Sequence, residues 1–328
     1  MVEQSRRSLI LGGMGVASFA VARAGWSRPA DTPAADGADE VLPLWPGTPP
    51  GGAGVALTEL IQDNPDPKGK RHRRLSRIGN PVLIVKRAAK PNGAAVIAIP
   101  GGGFSVLNYD AAGTDHAAWL TAVGITTFIL VYRLPGEGWA QRADVPLQDA
   151  QRAIRLVRAN ADRLGIDKNR IGLLGSSAGG HVAGSLATRF DERVYERVDA
   201  QDDLSARPDL AALLFPVVTM GNGAHAPSRA ALLGAAPSAA VCDAYSLERH
   251  VVSGTPPLFL CCAGDDQVVS PANTLALYRA TLDAGSKAEM HVFQKGGHGF
   301  GVQLSQAVPT AQWPVLFVRF ARYNGLLA

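Results

Sequence analysis

The pentapeptide Gly175-Ser176-Ser177-Ala178-Gly179 constrains this chain more than any other stretch. It follows a short apolar run, Arg170 to Leu174, that reads as a buried strand, and it opens a helix of small residues from Gly180 to Thr188. Strand, G-x-S-x-G, helix is the setting in which a serine is held at the tip of a tight turn with its hydroxyl presented outward. The reason is steric. The tip residue takes a strained backbone conformation, and its neighbours on both sides must be small. Gly175, Gly179 and Gly180 meet that need. Ser177 stands at the centre of the motif; Ser176 does not. A plain Gly/Ser loop produces the same letters, so a base, an acid and donors for a developing negative charge must come from elsewhere in the chain.

The flanking pattern supplies places for them. Pro81 to Lys86 and Ala94 to Ile99 read as strands, the second apolar throughout, as in a strand covered on both faces. Thr114 reads as the N-cap of a helix over 115–123, and Ile125 to Tyr132 as the next buried strand. A long helix is predicted from Asp144 to Gly165, with Pro146 in its first turn. Its apolar face is Leu147, Ala150, Ile154, Val157, Ala161 and Leu164, with Arg152, Arg155 and Arg158 mainly outside it. After a polar stretch from Asp191 to Asp209 come a strand at 210–215, short helices around 229–234 and 237–243, and a strand at 257–262. A helix over 271–284, a last strand over 288–293 and a closing helix over 312–323 follow. Strands alternating with helices imply an α/β fold, a mostly parallel sheet with helices on both faces. Ligands bind such sheets at the carboxyl ends of the strands. The basic run from Lys68 to Arg77 reads as a solvated loop.

Three motifs each sit just after a predicted strand. Gly101-Gly102-Gly103 lets backbone N–H groups approach an oxygen with no Cβ in the way. With the N–H of Ala178 these could hold an oxyanion. Gly264-Asp265-Asp266 places a carboxylate where it could orient an imidazole. Asp266 is the better candidate because it stands in a D-x-x-V frame with Val269, and Asp265 reads as a helper or a solvated neighbour. Gly296-Gly297-His298-Gly299-Phe300 places a histidine among glycines, where local packing gives little reason for one. His298 is therefore the candidate base. His181 and His291 read as structural, and His72, His116, His225 and His250 lack a supporting motif. The order Ser, Asp, His is that of the α/β-hydrolases.

At this point the chain resembles the bacterial acetyl esterases and acetyl xylan esterases of the α/β-hydrolase family, grouped with prolyl-oligopeptidase-like and feruloyl-esterase-like hydrolases. The matching stretches are Pro100-Gly-Gly-Gly-Phe, Val131-Tyr-Arg-Leu-Pro, Pro146-Leu-Gln-Asp-Ala-Gln-Arg-Ala, Gly175-Ser-Ser-Ala-Gly-Gly-His, Ser205-Ala-Arg-Pro-Asp, Thr255-Pro-Pro-Leu-Phe and Gly296-Gly-His-Gly-Phe-Gly. The likeness covers about 41–328. It implies Ser177 as nucleophile, Asp266 as acid, His298 as base, and Gly102, Gly103 and Ala178 as oxyanion donors. Pro100 stands where many lipase-like relatives have His, which leaves the backbone donors intact. The resemblance further implies a carboxylesterase for short acyl esters of sugars such as acetylated xylo-oligosaccharides, with Phe104 lining the acyl side. A peptidase or feruloyl esterase of the same fold is the alternative. A glycosidase needs two carboxylates across the scissile bond, and no such pair stands beside the triad. An intact triad argues against a non-catalytic binding module.

Composition adds little to this. Hydrophobic residues make up 47% of the 328, charged residues 18%, and half of the formal net charge of +4 lies in the first 24 residues. No nucleic-acid partner is expected. Those residues read as a twin-arginine export signal: Arg6-Arg7, an apolar run from Leu9 to Val21, and a small-x-small site at Ala22-Arg23-Ala24. The run is short and rich in Gly and Ala, so the expectation is a periplasmic or secreted protein without lasting membrane attachment. Residues 25–40 read as a disordered linker and 41–328 as a single catalytic domain. Three cysteines suggest buried packing residues, and no metal-ligand spacing such as C-x-x-C or H-E-x-x-H is present. No cofactor is expected.

Overall fold

The computed structural model describes residues 39–67 and 69–328. The expected export signal and all but residues 39–40 of the expected linker lie outside the described residues. Glu40, read from the sequence as linker, opens a strand.

The strands are β1 (Glu40–Pro43), β2 (Leu60–Asp63), β3 (Arg73–Ser76), β4 (Val82–Lys86), β5 (Ala95–Ile99), β6 (Leu107–Asn108), β7 (Thr126–Val131), β8 (Ile171–Ser176), β9 (Leu210–Leu214), β10 (Leu258–Ala263) and β11 (Ala288–Phe293). The helices are α1 (Asp115–Ala122), α2 (Val145–Ala159), α3 (Ala161–Leu164), α4 (Ala178–Thr188), α5 (Ala226–Leu233), α6 (Ala239–Ala244), α7 (Ala272–Asp283) and α8 (Trp313–Tyr323). Among the described residues eight strands make one sheet in the order β1-β4-β7-β5-β8-β9-β10-β11. Only β1 against β4 and β4 against β7 are antiparallel; from β7 to β11 every pairing is parallel. From β5 the chain goes to β7 on one side and then returns to β8 on the other. That reversal opens a crevice beyond the carboxyl ends of β5 and β8, the usual ligand position in such a sheet.

The period of two along the strands divides the core. Leu173, Ala211, Leu213, Leu258 and Leu260 face a cluster that includes Ile154 and Val157 of α2, Val182 and Leu186 of α4, and Leu277 of α7. Leu174, Leu210, Ala212, Leu214 and Phe259 face the other, which includes Leu120 of α1 and Trp313, Phe317 and Phe320 of α8. Burial on both faces explains why these strands are apolar without alternation. The cysteines Cys242, Cys261 and Cys262 are free and buried.

Four local readings change. The basic run is not wholly a solvated loop. Arg73 lies in β3, buried, with its Nη2 2.6 Å from Asp110 Oδ1, and β3 joins β2 and β6 in a small antiparallel sheet. Thr114 does not cap α1. Its hydroxyl donates to the Asp110 carbonyl at 3.1 Å, inside a wide helical turn over Asp110–Thr114 that leads directly into α1. The long helix breaks at Asn160, whose side-chain amide donates to the Leu156 carbonyl at 2.8 Å and competes with the helix ladder. Arg152 lies off the apolar face as expected but is buried, capped by Asp199 and Asp202 of the polar stretch. The match at Arg133 and at Asp149 also acquires a structural reason. The two side chains form an ion pair at 2.8 Å, both 0% exposed, and Trp45 Nε1 donates to the same carboxylate at 2.8 Å.

Candidate active site

Ser177 stands between β8 and α4 with φ 55° and ψ −121°, a conformation side chains rarely adopt. Strain of this kind costs on the order of 1–3 kcal/mol and needs surroundings that enforce it. Here the backbone is fastened on both sides. The Ser177 N–H donates to the Leu214 carbonyl at 2.9 Å, and the Ser177 carbonyl accepts from the N–H groups of His181 and Val217, both at 3.1 Å. The neighbouring glycines leave no room for a side chain. A Cβ on Gly179 would sit 2.1 Å from the Ile99 carbonyl oxygen, and one on Gly175 2.3 Å from the Gly179 carbonyl oxygen. Ser176, in contrast, is the last residue of β8 and is buried.

His298 comes from the glycine-rich loop after β11 and reaches Ser177 across the crevice. Its Nε2 is 2.9 Å from Ser177 Oγ, and its Nδ1 is 2.7 Å from Asp266 Oδ2. A carboxylate only accepts, so Nδ1 carries the proton and Nε2 of the neutral ring is left to accept from the serine hydroxyl. Asp266 follows β10 and is buried, and its other oxygen accepts from the N–H groups of Val268 (2.8 Å) and Val269 (3.0 Å). Burial works to raise the Asp266 carboxyl, but the hydrogen bonds from His298 and those two N–H groups outweigh it and hold the group below its ordinary value. The D-x-x-V frame thus has a local reason: the carboxylate folds back on the turn that follows it.

Asp265 faces the loop that carries His298 rather than the imidazole itself. It is exposed, and its Oδ1 accepts from the N–H groups of Gly296 (3.0 Å) and Gly297 (2.8 Å), which fastens the loop that carries His298. The other end of that loop is held by Trp313 Nε1, which donates to the Gly301 carbonyl at 2.9 Å. Phe215, strained at φ 38°, packs edge-on against the His298 ring at 4.8 Å. Nothing in the sequence marks Phe215 as different from any aromatic residue at a strand end.

The loop Gly101–Phe104 lies directly against the serine turn. A Cβ on Gly101 would be 2.4 Å from the Ser176 carbonyl oxygen and 3.0 Å from Ser177 Cβ. Gly102 and Gly103 both have positive φ, 140° and 64°. Ala178 is the first residue of α4, where an N–H has no acceptor within its own helix. Phe104 is 1% exposed and its ring meets the edge of His181, which places it beneath the loop rather than on an open wall. His181 is buried in α4 with Nε2 2.8 Å from the Tyr245 carbonyl oxygen. It ties the serine-bearing helix to the segment over 219–250 and has the structural place expected of it.

The profile of the family described as BD-FAE matches residues 83–281, more than half of the chain. The chain belongs to the BD-FAE family. Ser177 and Asp266 fall inside the BD-FAE match and His298 beyond its end. Over 88% of this chain and 97% of the other, the fold agrees with that of an acetyl ester-xyloside bifunctional hydrolase from Caldicellulosiruptor lactoaceticus, at a TM-score of 0.72 and 32% identity. An acetylxylan esterase of Xylanibacter ruminicola is 30% identical over 69% of this chain and 45% of its own length. An endo-1,4-beta-xylanase B of Butyrivibrio fibrisolvens is 34% identical over 63% of this chain and 32% of its own length. The chain therefore spans less than half the length of these two curated relatives.

Proposed function

We propose that this BD-FAE protein is a serine carboxylesterase that removes short acyl groups, acetyl above all, from carbohydrate esters. The observation that carries the reading is the continuous line of hydrogen bonds from Ser177 Oγ through His298 to Asp266, at 2.9 and 2.7 Å, set on a strained turn. Ser177 Oγ attacks the acyl carbon while His298 Nε2 takes its proton. Asp266 keeps the ring in the tautomer that can do so and stabilises the imidazolium that forms. The N–H groups of Gly102, Gly103 and Ala178 face the developing oxyanion, where one such donor is worth roughly 10²–10³ in rate. His298 then returns the proton to the leaving alcohol oxygen, and water attacks the acyl-serine by the same steps in reverse.

The names of the relatives supply the substrate class: an acetylxylan esterase and an acetyl ester-xyloside hydrolase are both similar to this chain. The test is acetate release from acetylated xylo-oligosaccharides, together with kcat/KM on nitrophenyl esters from two to eight carbons. Acetyl and propionyl esters should be cleaved well and octanoyl esters poorly. A maximum at eight carbons overturns the short-acyl reading. Acetyl-ester turnover with no release from any acetylated sugar removes the carbohydrate. We further propose that residues 41–328 act as one catalytic domain exported through the twin-arginine signal. No helix among the described residues is long and apolar enough to cross a membrane. Replacement of Arg6-Arg7 by lysines should leave the activity in the cytoplasmic fraction.

A further inference from the structure

His225 lacks a sequence motif, yet the fold brings it to the rim of the site. It immediately precedes α5, and its Nδ1 is 2.7 Å from the hydroxyl of Ser228, a residue that is 0% exposed. The Ser228 hydroxyl in turn stands 3.8 Å from where a Cβ on Gly103 would lie, so the start of α5 packs over the glycine loop. On its other side the same segment is tied to the acid. Asn273, at the start of the helix that follows Asp266, donates from Nδ2 to the Gly223 carbonyl at 3.2 Å, and its Oδ1 accepts from the N–H groups of Val218 and Thr219. The stretch from 218 to 228 therefore bridges the proposed oxyanion loop and the acid loop, with His225 on the span.

Two further properties define what such an imidazole can do. With Nδ1 engaged by Ser228, Nε2 makes no hydrogen bond among the described residues, and the ring is partly exposed. The ring also has a lowered affinity for a proton: burial lowers it first, the His298 ring lowers it further, and Asp266 works in the opposite sense. A neutral Nε2 suits a neutral partner better than a carboxylate or phosphate. A hydroxyl fits whichever tautomer the Ser228 contact selects, because it can both donate and accept. The tie through Asn273 fixes the side as well, because it fastens the segment to the helix that follows Asp266, the carboxylate bonded to His298. In the proposed reaction His298 hands its proton to the leaving oxygen, so a group on that side stands beside the alcohol rather than the acyl half of an ester.

We infer that His225 Nε2, fixed by Ser228, binds a hydroxyl on the alcohol portion of the substrate next to the ester being cleaved, and so selects polyhydroxylated leaving groups. The inference rests on the esterase reading and adds a subsite to it. A matched pair of esters isolates it: 1-acetylglycerol and propyl acetate share the acyl group and the carbon chain and differ only in two hydroxyls. The measurement is the ratio of their kcat/KM values in the native enzyme, His225→Ala and Ser228→Ala. One lost hydrogen bond corresponds to about a fivefold change. The native enzyme should favour 1-acetylglycerol, His225→Ala should lower the ratio about fivefold, and Ser228→Ala, which only unpins the ring, should lower it less. His225→Asn, which keeps a donor and an acceptor at the tip, should recover part of it. A ratio that moves less than twofold in His225→Ala, with both esters still hydrolysed, overturns the subsite and leaves the esterase standing. A native enzyme that hydrolyses neither ester overturns the esterase reading and the subsite with it.

Discussion

Two histidines outside the proposed triad should govern how this fold responds to mild acid. His116 in α1 and His181 in α4 are both buried, and burial lowers each ring to about 4 from an ordinary 6.5. For His116 the nearby Asp115 and the Ala112 carbonyl resist that shift without reversing it. The rings are thus neutral in the fold and protonate in the unfolded chain as the pH drops below 6.5. The unfolded chain binds the extra protons, so stability is full above 6.5 and is lost as the pH falls from 6.5 toward 4. Each ring contributes about 1.4 kcal/mol per pH unit inside that window. Between pH 7.5 and pH 5 the two together should remove about 4 kcal/mol, a large share of a typical domain's stability. Urea unfolding followed by tryptophan fluorescence reads this directly. In His116→Leu the loss over the same range should fall to about 2 kcal/mol, because one titrating ring is gone. Comparing the two slopes cancels every group common to both proteins, Glu137 included, whose carboxyl burial pushes up. Parallel curves for the native protein and His116→Leu would refute the reasoning.

The two aspartates after β10 should separate in kinetics. Asp266→Asn should lower kcat about 10⁴-fold by releasing the His298 tautomer. Asp265→Ala should lower it through a loosened loop, and Asp265→Asn, which keeps the acceptor for Gly296 and Gly297, should recover most of that loss. A larger loss in Asp265→Asn than in Asp266→Asn would move the acid by one residue. Asp149→Ala should cost about 3–5 kcal/mol in urea unfolding, since it leaves the fully buried Arg133 without its partner; a cost below 1 kcal/mol would mean that water reaches the guanidinium.

The parallel sheet could be read from the sequence because its central strands, β5 and β7 to β10, are covered on both faces, and burial of that kind leaves unbroken apolar runs such as Ala94 to Ile99. The small sheet could not. Strands β2, β3 and β6 are short and mostly polar, and Arg73 is held in place by Asp110, a partner 37 positions away. The serine, aspartate and histidine positions were marked by glycines, whose placement reports local steric demands. Gly179 faces the Ile99 carbonyl and Gly101 faces Ser176, so each glycine records a close approach of backbones. Side chains that act across space left no such trace. Asp265 looks like any surface carboxylate until the loop at Gly296 folds over it, and His225 is unmarked until Ser228 and Asn273 fix its segment above the glycine loop. The helix at 144–165 was legible in its apolar face and not in its break, because Asn160 competes with the backbone through a side-chain bond that periodicity does not register.

The central claim is that Ser177 is a nucleophile activated by His298. Treatment with a fluorophosphonate, followed by peptide mass spectrometry, tests it most directly. One adduct is expected, on Ser177, with loss of esterase activity in step with labelling, and none in Ser177→Ala. Labelling of Ser176 in its place, or full inactivation with Ser177 unmodified, would contradict it.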